Sequence, residues 1–401
     1  MSNTSLEWIN TRKPEMIEQL TEWANNNSGS DNHIGLARML AMLEKSFSSL
    51  NGKIERLSLL PRKTISSSGE VIITQHGEAL RITKRPHAPM QIFLGGHMDT
   101  VYQLSHPFQT VFRPEENILR GPGVADMKGG LLIMLTALQF LEQHPSATNI
   151  GWEVLINPDE EIGSLGSESL LKKAAKRHQF GLIFEPSFAD GAIVSSRKGS
   201  INFSVIARGR AAHAGRDFDK GRNAILAIAD YISHACNLNN QEKGISINPG
   251  YIQGGGPVNI VPDLAICRLN ARAIHPVDFV KMKKDLPALI ENNIEGLEVS
   301  YFLETNRGPK IFDEKCRHLF DLIETCAKEE GYSLTQRPSG GVCDGNILAE
   351  EGLPVIDTLG AIGGNIHTEN EYILIDSLVS RSRLVSLLLI NLAKGKLKLK
   401  I

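Results

Sequence analysis

Cysteine is scarce in this chain: 401 residues hold five, Cys236, Cys267, Cys316, Cys326 and Cys343, an odd number with no C-x-x-C spacing. That excludes a disulfide framework and a thiolate zinc site, and it fits a reducing compartment. A surplus of either charge is also missing, with 43 basic against 45 acidic residues. Nucleic acid is therefore not expected as a partner, whereas a small anionic or zwitterionic substrate is compatible. The longest apolar run, "GGLLIMLTALQFL", is shorter than the roughly 20 residues that span a bilayer. The opening residues "MSNTSLEWINTRKPEM" lack an uninterrupted apolar signal region, and the basic tail "AKGKLKLKI" reads as a solvated chain end. A soluble cytoplasmic protein with no membrane partner is the expectation. There is no G-x-S-x-G elbow, so a serine triad of the α/β-hydrolase type has little support. "GPGVAD" has two glycines of a dinucleotide fingerprint, but Asp126 at the third position would oppose a pyrophosphate, so no nucleotide cofactor is expected.

What is present is a clear change of texture along the chain. At 401 residues, two or three domains are expected. From about residue 90 to 186, β-rich runs ("QIFLGG", "WEVLIN", "GLIFEP") alternate with helical patterns, predicting βαβ units and a mainly parallel sheet covered on both faces. Between about 197 and 307 the order becomes β-α-β-β-α-β, the ferredoxin-like split unit, after which the α/β texture returns. The fold class is thus α/β, with residues 1–196 and 308–401 forming a first domain and 197–307 a second domain inserted into it.

Ligands of open α/β sheets bind beyond the carboxyl ends of the strands. His97 and Asp99 follow "QIFLGG", Asp126 closes "GPGVAD" ahead of a helix, Glu160 and Glu161 follow "WEVLINPD", Glu185 ends "GLIFE", and His367 lies in "GNIHTENEY". Singly, each has an ordinary explanation: a core histidine, a helix N-cap, a solvated Glu-Glu pair. Together they would leave several unpaired polar groups at a buried rim, which is costly. A pair of cations neutralises such a cluster. Asp126 can bridge, with His97 and Glu185 completing one site and His367 and Glu161 the other. Imidazole and carboxylate without thiolate suit Zn, and also Co or Mn. Asp99 reads as the acceptor that orients the His97 ring, its competitor being a turn residue. Adjacent side chains diverge, so Glu161 can bind metal while Glu160 faces the open side as a general base.

The motifs "HMDTVY", "GPGVADMKGG", "NPDEEIGSLGS", "FEPS", "GRAAHAG", "VNIVP" and "GNIHTENEY" occur in an order that resembles the M20 family of co-catalytic metallopeptidases and deacylases, most of all its glutamate carboxypeptidase branch. The resemblance runs from about residue 90 to the end of the chain. It implies a di-zinc exopeptidase-like catalytic domain and an inserted lid through which the protein forms a homodimer. It also implies His97, Asp126, Glu161, Glu185 and His367 as metal ligands, Glu160 as catalytic base and Asp99 as the residue orienting His97. By the same resemblance His213 reaches the partner's active site and stabilises the oxyanion, while Asn259 and Arg272 hold the substrate, Arg272 by forking onto a carboxylate. For Arg272, an exposed strand arginine is the competing reading. The chain departs from the family at "GGVCDGN", where many relatives read Gly-Gly-Thr-Asp-Ala, so Cys343 and Asp344 alter the pocket wall near His367. Glu185, in place of an aspartate that looks typical of the aminopeptidase branch, favours a carboxypeptidase or deacylase. The expected reaction is hydrolysis of the amide of a small peptide or N-acyl amino acid. The alternatives are an aminopeptidase or dipeptidase of the same family and a non-catalytic binding member.

Overall fold

A computed structural model describes residues 5–290 and 294–398, so the last three residues of the basic tail lie outside the described part. In chain order its principal strands are β1 (Lys53–Leu57), β2 (Arg62–Ile65), β3 (Val71–Thr74), β4 (Ala79–Lys84), β5 (Met90–His97), β6 (Ile150–Asn157), β7 (Phe180–Ile183), β8 (Gly199–Arg208), β9 (Ser246–Gly254), β10 (Leu264–Ala273), β11 (Glu298–Arg307) and β12 (Val355–Ile356). The helices that matter for the site are α1 (Gly129–Glu142), α2 (Ala224–Cys236), α3 (Pro276–Ala288) and α4 (Ile375–Ala393).

A six-stranded sheet in the order β1-β4-β6-β5-β7-β12 forms the centre. β6, β5, β7 and β12 run parallel, and β4 and β1 add an antiparallel edge. The parallel strands are buried almost throughout, as strands covered on both faces must be: β6 is buried at every position, and β5 at all but its first two. α1 is apolar on all sides because it packs between the sheet and α4. The segment Val124–Glu142 is long and apolar enough to cross a bilayer by length and composition, but 94 % of its apolar window is buried inside the protein. The α/β class with a mainly parallel sheet is therefore as the sequence predicts. The antiparallel edge comes from residues before position 90, where the texture gave no such signal.

β8, α2, β9, β10, α3 and β11 form a second unit in the order β-α-β-β-α-β. Its antiparallel sheet runs β9-β10-β8-β11 and encloses its own core, including Phe203, Ile228, Leu269, Phe279 and Leu286. α2 starts where Asn223 Oδ1 accepts the Ile225 and Leu226 amides at 3.0 and 3.2 Å.

Two local devices set the active edge. In the parallel pairing, His97 stands opposite Asn157, so the ends of β5 and β6 release their loops at the same level. Gly96 lets the Asp126 turn close onto β5, since a Cβ there would lie 2.5 Å from Met127 Cε and 2.7 Å from Leu131 Cδ2.

Candidate metal centre

The loops after β5, β6 and β7, the turn before α1 and the loop preceding α4 converge beyond the carboxyl edge of the sheet. The last of these is clamped by pairing: Gly363–Gly364 meets Tyr372–Leu374, which pairs with Ile118–Arg120 just ahead of the Asp126 turn. His367 is thereby brought to Asp126, with its own backbone in the left-handed region at φ 63°.

Asp126 is shared between two histidines. Its Oδ1 lies 3.1 Å from His97 Nε2 and its Oδ2 lies 3.2 Å from His367 Nε2. Glu185 Oε1 sits 3.8 Å from His97 Nε2, and Glu161 Oε2 sits 3.3 Å from His367 Nε2. His97, Asp126 and Glu161 present ligand atoms within 4.8 Å of one another, as do His97, Glu160 and Glu185. Each carboxylate oxygen of Asp126 thus belongs to a separate imidazole–carboxylate pair.

Without a cation, this crowd of buried carboxylates is electrostatically strained. Burial, followed by the charge of Asp126, pushes both Glu161 and Glu185 up to about 8. Burial works against ionisation of Asp126 too, yet hydrogen bonds from His367 and His97 outweigh it and hold that carboxyl well below the usual range. Bonds to Asp126 and Glu161 raise His367 to about 10. Divalent cations would supply the charge that balances these carboxylates, and the oxygen and imidazole donors fit such cations.

Asp99 does more than orient a ring. His97 Nδ1 lies 3.0 Å from the Asp99 carbonyl and 3.3 Å from its carboxylate. The same carboxylate accepts the Glu160 and Glu161 amides at 3.2 and 3.1 Å and the Ser30 hydroxyl at 2.7 Å. It therefore fixes the first histidine and the Glu160–Glu161 turn together.

Glu371, inside "GNIHTENEY" but not singled out by sequence, holds the Asp126 turn. One oxygen accepts Ala125 N and Asp126 N at 2.9 and 3.1 Å, and the other accepts Gly123 N at 3.1 Å and Tyr102 Oη at 2.7 Å. Arg307, at the end of β11, was also missed. It donates to Glu160 Oε1 at 2.7 Å, to the Glu160 carbonyl at 3.0 Å and to Ser164 Oγ at 2.6 Å. Glu160 borders the cleft, as expected of a base, but is mostly buried and ion-paired rather than turned freely to solvent. The reason is register: β11 ends level with the loop after β6, a relation that no local motif encodes.

Asp126, Glu160, Glu161, Glu185, His367 and Arg272 line one cavity of about 820 Å³, with His97 buried behind Asp126. Arg272 donates to Asn270 Oδ1 at 2.8 Å and the Gly340 carbonyl at 2.6 Å, while its Nη2 has no partner among the described residues. His213 and Asn259 are not brought there. Both are exposed, on two lid loops joined by the Ala214 amide donating to the Asn259 carbonyl at 2.8 Å. Asn259 lies outside the lining of this cavity, on the segment following β9 that pairs with residues 212–214. Cys343 forms part of the cleft wall, its Sγ accepting the Gly345 amide at 3.3 Å, and the neighbouring Asp344 is pushed up to about 7 by burial and by the charge of Glu160.

An α/β sheet carrying paired imidazole–carboxylate donors at its carboxyl edge has the makings of a two-metal hydrolytic centre. The sequence profile of peptidase family M20/M25/M40 matches residues 93–391, and the chain belongs to that family. It is similar to carboxypeptidase G2 of Pseudomonas sp. (strain RS-16), 28% identical over 388 residues, 96% of this chain and 91% of that protein. Its fold matches the M20 family metallo-carboxypeptidase Sso-CP2 of Sulfolobus solfataricus with a TM-score of 0.70 at 18% identity, covering 94% of this chain and 98% of that one. It matches the aminopeptidase PepT of Bacillus cereus ATCC 10987 with a TM-score of 0.69 at 23% identity, covering 94% and 98%.

Proposed function

We propose that the protein is a carboxypeptidase or N-acyl amino acid deacylase that hydrolyses an amide at a pair of divalent cations, Zn or else Co or Mn. The observation that carries this reading is the division of Asp126 between His97 and His367, each with its own glutamate. His97, Glu185 and Asp126 would hold one cation, and His367, Glu161 and Asp126 the other. When bound, such cations polarise the scissile carbonyl and make water more acidic.

The remaining steps belong to the chain. Glu160 takes a proton from the attacking water and returns it to the leaving amine. Arg307 keeps that carboxylate oriented through its 2.7 Å bond. Arg272 binds the free carboxylate of the substrate through its uncommitted Nη2 edge. The similarity to carboxypeptidase G2 supports a substrate with that carboxylate. His213 and Asn259, exposed together on the lid, act on a neighbouring subunit's site in a homodimer, His213 at the oxyanion. Five free cysteines fit a cytoplasmic location.

Glu160→Gln tests the mechanism. Metal content should persist while turnover falls by roughly 10² to 10⁴; unchanged turnover removes Glu160 from the base role. Dipeptides blocked at one end or the other test the substrate class, since a carboxypeptidase loses activity only when the carboxyl end is blocked.

A further inference from the structure

The hairpin β2–β3 is an excursion from the central sheet. Leu57 and Ala79 face each other in the pairing of β1 with β4, so residues 58–78 leave the sheet and return to it. The excursion reaches across to the lid. Arg268 of β10 donates to the Ile65 carbonyl at 2.7 Å, and Arg208 of β8 donates to the Gly69 carbonyl at 2.9 Å and to Glu70 at 2.7 Å. Ile65 is buried with Ile206 and Ile266 of the lid sheet. Held on both sides in this way, β2 forms part of the cleft wall through Arg62, Lys63 and Thr64.

The other cations of that cleft are already committed. Arg197 is paired with Asp357 at 2.8 Å, Arg307 with Glu160 at 2.7 Å, and Arg272 serves the substrate carboxylate in the reading above. Glu304, an acidic residue of the same wall, is occupied by the Ser204 hydroxyl. Arg62 is different. Its side chain is only 19% exposed; among the described residues its buried Nε has no partner and its one ionic contact is 3.3 Å to an aspartate, Asp31, that is 71% exposed. A pair of that kind contributes little. Lys63 has no ionic partner among the described residues. Neighbouring side chains leave a strand on opposite faces, yet Arg62 and Lys63 both border this cleft, so its wall offers an anion a half-buried guanidinium with unused donors and a separate ammonium.

We propose that Arg62 and Lys63 form a second anion subsite, taking a carboxylate on the acyl portion of the substrate. Preferred substrates then carry a carboxylate on each side of the scissile amide, one at Arg272 and one at β2. The two arginines are held by different groups: Arg272 donates to Asn270 and Gly340, whereas the Arg62 guanidinium donates only to the exposed Asp31 among the described residues. The inference rests on the amide-hydrolase reading and adds the chemistry of the acyl group to it.

The test uses the full-length, metal-loaded protein and one amino acid acylated in two series: N-succinyl, N-glutaryl and N-adipoyl against N-butanoyl, N-pentanoyl and N-hexanoyl. At one chain length or more, kcat/KM for the dicarboxylic acyl group should exceed that of its neutral counterpart by on the order of 10- to 100-fold, the worth of a charge-assisted contact. That ratio should collapse toward one in Arg62→Ala/Lys63→Ala. In Arg62→Glu/Lys63→Glu, an N-(4-aminobutanoyl) substrate should overtake the N-succinyl one, which a purely structural role for the hairpin does not produce. Lys63→Glu alone, at an exposed position, gives the same trend if the double variants do not fold. Hydrolysis of the neutral series with no dicarboxylic preference, or a ratio unchanged in the variants, overturns the subsite while leaving the amide hydrolase standing. Hydrolysis of neither series by the wild type overturns the underlying reading, and the subsite with it.

Discussion

Replacing Glu371 by glutamine keeps the side-chain shape and removes one acceptor, which makes its cost calculable from the contacts. If the new amide nitrogen took the position facing Ala125 N and Asp126 N, two backbone donors now at 2.9 and 3.1 Å would meet a third donor. The opposite orientation is better. It sets the amide nitrogen against Gly123 N at 3.1 Å and Tyr102 Oη at 2.7 Å, and the hydroxyl can turn its proton wholly to the Thr368 carbonyl, 2.8 Å away. One backbone N–H is then repelled, and three bonds lose the benefit of a charged acceptor. With hydrogen bonds to charged groups worth about 1.5 to 3 kcal/mol, the net cost comes to about 2 to 4 kcal/mol. For a domain of this size that lowers Tm by about 4 to 8 °C. The Asp126 turn is the part that loosens, so Zn affinity should fall about 10- to 100-fold, as when the groups supporting a ligand are removed. Differential scanning calorimetry and Zn titration of Glu371→Gln measure both. A variant whose Tm is within about 1 °C of wild type, with Zn affinity unchanged, refutes the claim that Glu371 holds the Asp126 turn.

Arg307→Met leaves the Glu160 carboxylate without the group that orients it, so kcat should fall about 10- to 100-fold while KM and metal content stay constant. An unchanged kcat separates Arg307 from the base. Asp357 is held below the ordinary carboxylate range: burial opposes this, but Arg197 and Lys310 outweigh burial. Its contribution to stability is therefore complete above pH of about 4 and is lost as pH falls through its lowered folded value. Asp357→Asn should cost about 3 to 5 kcal/mol at pH 7 by stranding two buried cations, and denaturant titrations should show that the variant lacks this part of the acid loss. In the proposed homodimer, Glu160→Gln and His213→Ala should each be inactive alone and regain roughly a quarter of wild-type activity when mixed and allowed to exchange, because half of the dimers would then carry one intact site. No recovery in subunits shown to exchange contradicts a role for His213 in its partner's site.

The parts of the site legible in the sequence are those tied to strand ends. β5 from Ile92 onward, β6 and β7 are buried strands, so the residues at and just beyond their ends had to emerge at one edge. Asp126 and His367 were legible because a carboxylate before a helix and a histidine in a loop gained meaning from that edge. Groups positioned by tertiary register were not legible. Arg307 reaches Glu160 only because β11 ends beside the loop after β6, and Arg62 enters the cleft only because a hairpin leaves the sheet between β1 and β4. Glu371 was inside a recognised motif, but its role requires seeing four donors around one carboxylate. The antiparallel edge was missed for a related reason. β1 is half-exposed and carries the charged run "KIERL", which has little of the apolar pattern that marked the buried strands.

The most direct test of the account is the location and number of metal ions in crystals of the Zn-loaded protein, read from anomalous scattering at the zinc edge. The account predicts two sites per chain with Asp126 shared between them, one also bound by His97 and Glu185 and the other by His367 and Glu161, at ligand distances of about 2.0 to 2.2 Å. A single site, or two sites that do not share Asp126, would contradict it.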